Sequence, residues 1–323
     1  MSNSLKSKYK ELLTHGLIYG LTSSLQSLVG FILLPILTVY YTPADFGVYS
    51  IILLASALAS AIFYLGASSS LARFYYEYPD ELYKKKIVSS ALFVTVVGAL
   101  ILITLSIIFG RQLSVLLFNS CDYYVHIILG LSAAAFRFLL NTMTLWLRYE
   151  KQSKLFLVVT ILGSILNFSL TFILLTVYSF GILAPLIGSL VSFAIVFLIL
   201  IVVKFPYLIL NFSYAKKILF FGLQFAMSGF LFYLLDYLDR LILNSLVGIS
   251  DVGVYSLGAR IAVVINIIFI IPFSLIWAPM RMKYANSSDN NELTHKISSY
   301  FSIIGSVFIL TSVLFGEEMI LLV

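Results

Sequence analysis

In the run "LSAAAFRFLLNTMTLWLRYE", residues 131–150, one arginine, Arg137, stands deep among apolar residues. His126, Gly130, Arg137, Asn141, Thr144 and Arg148 recur at helical spacing, so they share one face. A planar guanidinium on that face can grip an oxyanion through two parallel N–H bonds. The structural alternative is an arginine that donates to carbonyls of a neighbouring helix. A second polar stripe lies in "FYLLDYLDRLILNSL", residues 232–246. There Tyr233, Asp236, Arg240 and Asn244 follow Gly229 on one face, with Asp239 beside Arg240. Asp236 and Asp239 are candidates to carry a proton or a sodium ion. Arg240 and Tyr233 are candidates to hold an oxyanion or a polar ligand, as are Arg137 and Asn141. The alternative for this stripe is an i,i+4 pair between Asp236 and Arg240.

Other chemistry is missing from the sequence. The one cysteine, Cys121, and three scattered histidines make no metal-ligand cluster. No GxxxxGK[ST] loop is present. The expectation is a protein that is not an enzyme, with no cofactor and no metal.

The elements that must position these stripes are set by composition. Apolar residues make up 61% of the 323 and charged residues 11%, whereas a soluble domain carries about 25% charged residues. Apolar runs near twenty residues recur along the whole length, the mark of membrane-spanning helices. They do not alternate in polarity as barrel strands do. Nine spans are predicted, at 16–41, 46–65, 87–110, 123–147, 155–178, 182–203, 220–247, 252–277 and 297–315. With the N-terminus placed in the cytoplasm, sixteen of the twenty Lys and Arg fall on the cytoplasmic side. Arg111 alone falls outside, and Arg137, Arg240 and Arg260 lie within spans. That bias sets the orientation and assigns the net charge of +6 to loops facing anionic lipid, not to nucleic acid.

The chain also repeats itself. "DFGVYS" at 45–50 returns as "DVGVYS" at 251–256, an offset of 206. Without a gap, 13 of the 42 positions in 9–50 are identical to those in 215–256. Six predicted spans separate the two starts, so both copies have the same orientation, a parallel repeat. The hexapeptide reads as the outer turn between the first two helices of each unit, with Asp45 or Asp251 capping the second helix. The fold expected is an all-α polytopic membrane protein of two parallel-repeat, six-helix lobes. Residues 1–205 form the first lobe and 206–323 the first half of the second, which is incomplete in this chain because Val323 aligns with Leu117.

"LLPILTVYYTPADFGVYS", "LGASSSLARFYYEY" and "DYLDRLILNSLVGISDVGVYSLGARI" resemble the polysaccharide biosynthesis flippases, the O-antigen and capsule oligosaccharide exporters. The paired turns and the Asp239–Arg240 doublet are the most specific parts. The resemblance implies the multidrug/oligosaccharidyl-lipid/polysaccharide exporter fold in a bacterial inner membrane. It implies that undecaprenyl-pyrophosphate-linked oligosaccharide is moved from the cytoplasmic to the outer leaflet. Membrane lipid and other polysaccharide-assembly membrane proteins are the implied partners. Two other functions compete with this one. A cation-coupled multidrug exporter of the same superfamily favours acidic cavity residues over Arg137. A membrane polysaccharide polymerase needs a large outer loop, and the longest outer connection is near "GRQLSVLLFNSCDYY".

Overall fold

The computed structural model describes residues 20, 22, 25–26, 28–78, 80–204, 208–265 and 290–314. Among these every regular element is a helix: α1 (Leu28–Tyr40), α2 (Pro43–Phe63), α3 (Ala67–Phe74), α4 (Glu81–Phe118), α5 (Tyr124–Tyr149), α6 (Ser153–Thr176), α7 (Leu183–Lys204), α8 (Phe212–Leu246), α9 (Ile249–Ile265) and α10 (Asn290–Leu314). Two compact units are present, residues 1–253 and 254–323. The first holds α1 to α8 and the start of α9; the second holds the rest of α9 and α10.

Among the described residues six helices are long and apolar enough to cross a membrane: α2, α4, α5, α6, α7 and the Phe212–Leu235 part of α8. The chain is therefore a multi-pass membrane protein. The nine-span expectation adds α1, α9 and α10, which are shorter in their described apolar stretches. Its first and eighth spans run into residues 16–19 and 266–277, and its ninth ends at Phe315, all outside the described residues. The helix α8 itself continues past Leu235 to Leu246.

The start of α2 explains half of the repeated hexapeptide. Thr42, not Asp45, is the N-cap, and Pro43 fills the first helical position, where no N–H is needed. The Thr42 hydroxyl accepts from the Asp45 N–H at 3.2 Å, while Asp45 Oδ2 accepts from the Thr42 N–H at 2.9 Å. This is a reciprocal capping box. The hexapeptides thus lie inside the first turns of α2 and α9, not in the turns between helices.

There the two copies meet. A Cβ on Gly47 would overlap the carbonyl oxygen of Ile249, and one on Gly253 would overlap that of Pro43. Position 249 is 43 plus 206, and 253 is 47 plus 206, so each contact is the other's counterpart at the repeat offset. Without a side chain at either glycine, the two backbones can cross in direct contact.

α4 and α8 run side by side in the same direction. At their starts the Ile209 N–H donates to Ser89 Oγ at 2.8 Å, and Ser90 Oγ donates to the Asn211 carbonyl at 2.9 Å. At their ends Asn244 Nδ2 donates to the Leu117 carbonyl at 3.1 Å. Both begin earlier than their apolar runs predict. Asp80 caps α4 through the N–H groups of Leu82 and Tyr83, and Asn211 caps α8 through those of Ser213 and Tyr214. The helix signal at these ends is capping chemistry, which hydropathy does not register. α4, at 38 residues, is about 57 Å long, well beyond a hydrocarbon core of about 30 Å.

The segment after α2, expected as loop, is helical again in α3. The break falls at Leu65 and Gly66, with φ of 55° and 60°. Backbone freed at such a break is tolerated at membrane depth only when protein covers it. Two glycines allow that cover: a Cβ on Gly98 of α4 would overlap the Phe63 carbonyl oxygen, and one on Gly222 of α8 that of Leu65. Ser70 of α3 then donates to the Ile218 carbonyl at 2.8 Å.

α5 is the best-covered span. In its apolar window 61% is buried, against 17% in α6. Its last turn is fixed by Glu150. One carboxylate oxygen accepts from Trp146 Nε1 at 2.6 Å, and the other from Gln152 Nε2 and Lys204 Nζ, both at 2.7 Å. Lys204, expected in a cytoplasmic loop, is buried at the end of α7. Its charge is sustained there by Glu150 and by the Trp146 ring, 4.7 Å away.

Candidate functional site

The exposed side of α5 carries Arg137 and Arg148, with Asn141 and Thr144 half-buried between them. Arg137 makes no hydrogen bond, ion pair or ring contact among the described residues. Asn141 is fixed from α2: its Nδ2 donates to the Tyr64 hydroxyl at 3.2 Å, and Thr142 Oγ1 lies 3.3 Å from the same oxygen. The Tyr64 ring stacks on Phe138 with centroids 5.4 Å apart. Tyr64 is the last residue before the break between α2 and α3. The break therefore ends α2 level with Asn141 and leaves a tyrosine hydroxyl beside the polar face.

The stripe read from the sequence does not stay open along its whole length. Gly130 is buried, and a Cβ there would crowd Ile52 Cγ2 at 2.5 Å and Ser56 Oγ at 3.2 Å. His126 is half-buried against Tyr123, with ring centroids 5.5 Å apart. α2 thus covers this face at Gly130, and exposure begins at Arg137. Arg148 at the far end sits over the Phe156 ring at 5.4 Å. An exposed guanidinium, an oriented amide and a hydroxyl on one face can bind an anion with hydroxyl groups attached.

The second stripe is arranged differently. Arg240 pairs with its neighbour Asp239 at 3.5 Å, and Asp239 Oδ1 also accepts from the Arg240 N–H at 2.7 Å. The Arg240 side chain is 12% exposed and that of Asp239 38%, so Arg240 is less available than Arg137. Asn244 is committed to the α4 carbonyl of Leu117. Tyr233 is partly exposed, with its ring 6.2 Å from that of Phe232. Asp236 lies in α8, and its side chain is outside the described residues. Arg137 has no bond to any of this group, so the structure does not join the two stripes into one hydrogen-bonded site. Sequence reading passed over Tyr64; the signal was the following "LGASSS", whose glycine and small polar residues mark a helix break.

The fold these helices build is that of the MOP-type transporters. A MOP superfamily transporter from Pyrococcus furiosus superposes with a TM-score of 0.69 at 15% identity, over 96% of this chain and 73% of that one. The MATE multidrug transporter DinF-BH gives 0.64 at 18% identity, over 91% and 71%. An inward-facing MATE family transporter gives 0.64 at 17% identity, over 95% and 71%. At these identities the likeness is one of fold. The model of the polysaccharide biosynthesis protein family matches residues 12–285, and the chain belongs to that family. No curated protein matches it.

Proposed function

We propose that this chain moves undecaprenyl-pyrophosphate-linked oligosaccharide from the cytoplasmic to the outer leaflet of a bacterial inner membrane, for O-antigen or capsule assembly. The observation that carries the reading is Arg137. A charged side chain at the centre of a bilayer costs about 2.5–3.5 kcal/mol or more and faces water or a polar partner. Arg137 is exposed and unpartnered among the described residues, on a face shared with Asn141, Thr144 and Arg148. That face suits a pyrophosphate and the hydroxyls of a sugar better than it suits lipid tails. The family match supports a polysaccharide intermediate as cargo. Arg240, Tyr233, Asp236 and Asp239 are the further candidates on α8, the two aspartates for a coupling proton or sodium ion.

Nine spans with a cytoplasmic N-terminus and a lobe boundary near residues 205 and 206 complete the proposal. The reciprocal contacts of Gly47 and Gly253 support a parallel repeat, as do the parallel α4 and α8. Loss of the protein should make lipid-linked oligosaccharide accumulate in the cytoplasmic leaflet, measured by lipid extraction and leaflet-specific labelling. Accumulation in the outer leaflet points to a polymerase and ends the flippase reading. Cysteines placed at Lys85 and Lys151 should react with an impermeant thiol reagent only from the cytoplasmic side. Reaction from outside overturns the orientation.

A further inference from the structure

We infer that Tyr64 is a positioning residue: its hydroxyl turns the Asn141 amide so that Asn141 Oδ1, an acceptor, meets a hydroxyl of the sugar joined to the pyrophosphate. This rests on the proposed function and deepens it, by assigning the contact that follows the anion on the α5 face. The orientation of the amide follows from where the protons go. The Phe138 carbonyl can only accept, and it takes the Thr142 hydroxyl proton at 3.2 Å. A threonine hydroxyl has no second proton. Of the two hydroxyls 3.3 Å apart, Tyr64 is therefore the donor and Thr142 the acceptor. With its one proton spent, the Tyr64 oxygen accepts, so the group Asn141 offers it at 3.2 Å is the Nδ2 donor. Ser68 of α3 bonds the same hydroxyl from beyond the helix break, and the Tyr64 ring lies stacked on Phe138. The amide is thus held by a group that is itself fixed from α3 and α5.

Asn141 Oδ1 is left over. It has no hydrogen-bond partner among the described residues, and Asn141 is only half-buried. Lipid tails carry no donor, and an acceptor left bare at span depth costs free energy. Arg137, which brings only donors, stands four residues earlier on the same face, with Cβ atoms about 5–6 Å apart. The face therefore offers donors first and an acceptor one turn further on. An anion joined to a hydroxyl-bearing ring presents the complementary pair: oxygens that accept, then an O–H that donates. A second phosphate does not, because its oxygens would meet another acceptor at Oδ1.

The test uses the protein in proteoliposomes, with polyprenyl pyrophosphate carrying one hexose as the parent substrate. A matched set replaces each free hexose hydroxyl in turn with fluorine, which is small and cannot donate. With the wild type, one member of the set should have a half-saturating concentration roughly two- to tenfold above the parent's, the size of one neutral hydrogen bond. Asn141→Ala should raise the parent's value toward that of the fluorinated form and erase the difference. Tyr64→Phe keeps the ring on Phe138 but frees the amide to turn, so it should shrink the same difference. Either variant slowing all substrates while keeping the wild-type ratio has only a packing defect, and overturns the assignment. A wild type that treats every fluorinated form as it treats the parent shows that water alone meets Oδ1. That result ends the inference and leaves the flippase reading standing. A wild type that moves no member of the set removes the proposed function and this contact together.

Discussion

Arg137→Ala should abolish most transport of the lipid-linked oligosaccharide while leaving the protein inserted and folded. The two halves of that result come from one observation. Arg137 is exposed and has no hydrogen-bond, ionic or ring partner among the described residues, so its truncation breaks nothing in the fold. Substitutions at such positions stay within about 0.5 kcal/mol. A hydrogen bond to a charged group contributes about 1.5–3 kcal/mol, so losing the contact to an anionic cargo corresponds to roughly 10- to 150-fold. Arg137→Lys keeps the charge but not the fork and should retain part of the activity. The measurement is lipid-linked oligosaccharide reaching the outer leaflet in a strain lacking the native protein, with membrane abundance followed in parallel. Normal transport by Arg137→Ala would falsify the assignment. Arg240→Ala should differ, because Arg240 is largely buried and paired with Asp239. It should lose abundance as well as activity.

The second large effect lies where the two hexapeptides cross. Gly47→Val or Gly253→Val places a branched side chain where the Cβ alone would overlap a backbone carbonyl of the opposing helix. Backbone cannot step aside as a rotamer can, so each variant should lose about 1–3 kcal/mol or more, at the upper end for overpacking. The two sites share one crossing. Once either substitution has pushed the starts of α2 and α9 apart, the other meets less resistance. The double variant should therefore cost clearly less than the sum of the singles, as neighbouring sites do in a double-mutant cycle. Thermal unfolding of the three variants in detergent checks this. Strict additivity would show that the glycines do not share a contact.

Much of this architecture was legible because lipid imposes a simple rule: backbone must be satisfied within each segment, so long apolar runs become helices. That rule locates α2 and α4 to α8. It says nothing about where a helix stops outside the apolar layer, and hydropathy therefore missed the first turns of α4 and α8, which Asp80 and Asn211 cap. The break at Leu65 and Gly66 falls where the second predicted span ends; what the sequence could not show is that Gly98 and Gly222, far away in sequence, let other helices press against its carbonyls. On α5, periodicity correctly put Gly130 and Arg137 on one face. It could not show that α2 covers the first and leaves the second exposed, since coverage depends on which helix lies alongside. On α8 the spacing did not point to a further contact that the structure shows: the adjacent carboxylate of Asp239, already bound to the Arg240 N–H, pairs with Arg240, while the Asp236 side chain of the i,i+4 reading lies outside the described residues.

The reciprocal crossing of α2 and α9 carries a historical implication. Gly47 rests on residue 249 and Gly253 on residue 43, so a patch meets its own copy, as in an isologous interface. Such a surface is self-complementary from its first appearance. An ancestor with one hexapeptide could have dimerised through it before any duplication, with no second gene needed to supply a matching partner. On the proposed duplication, fusing two such copies in parallel made a permanent association out of a concentration-dependent one. It also freed each half to diverge. The charges on α8 fit that freedom: Asp236 and Arg240 stand where the first copy has Gly30 and Leu34. A symmetric dimer would have carried any such charge twice; the fused chain can carry it once.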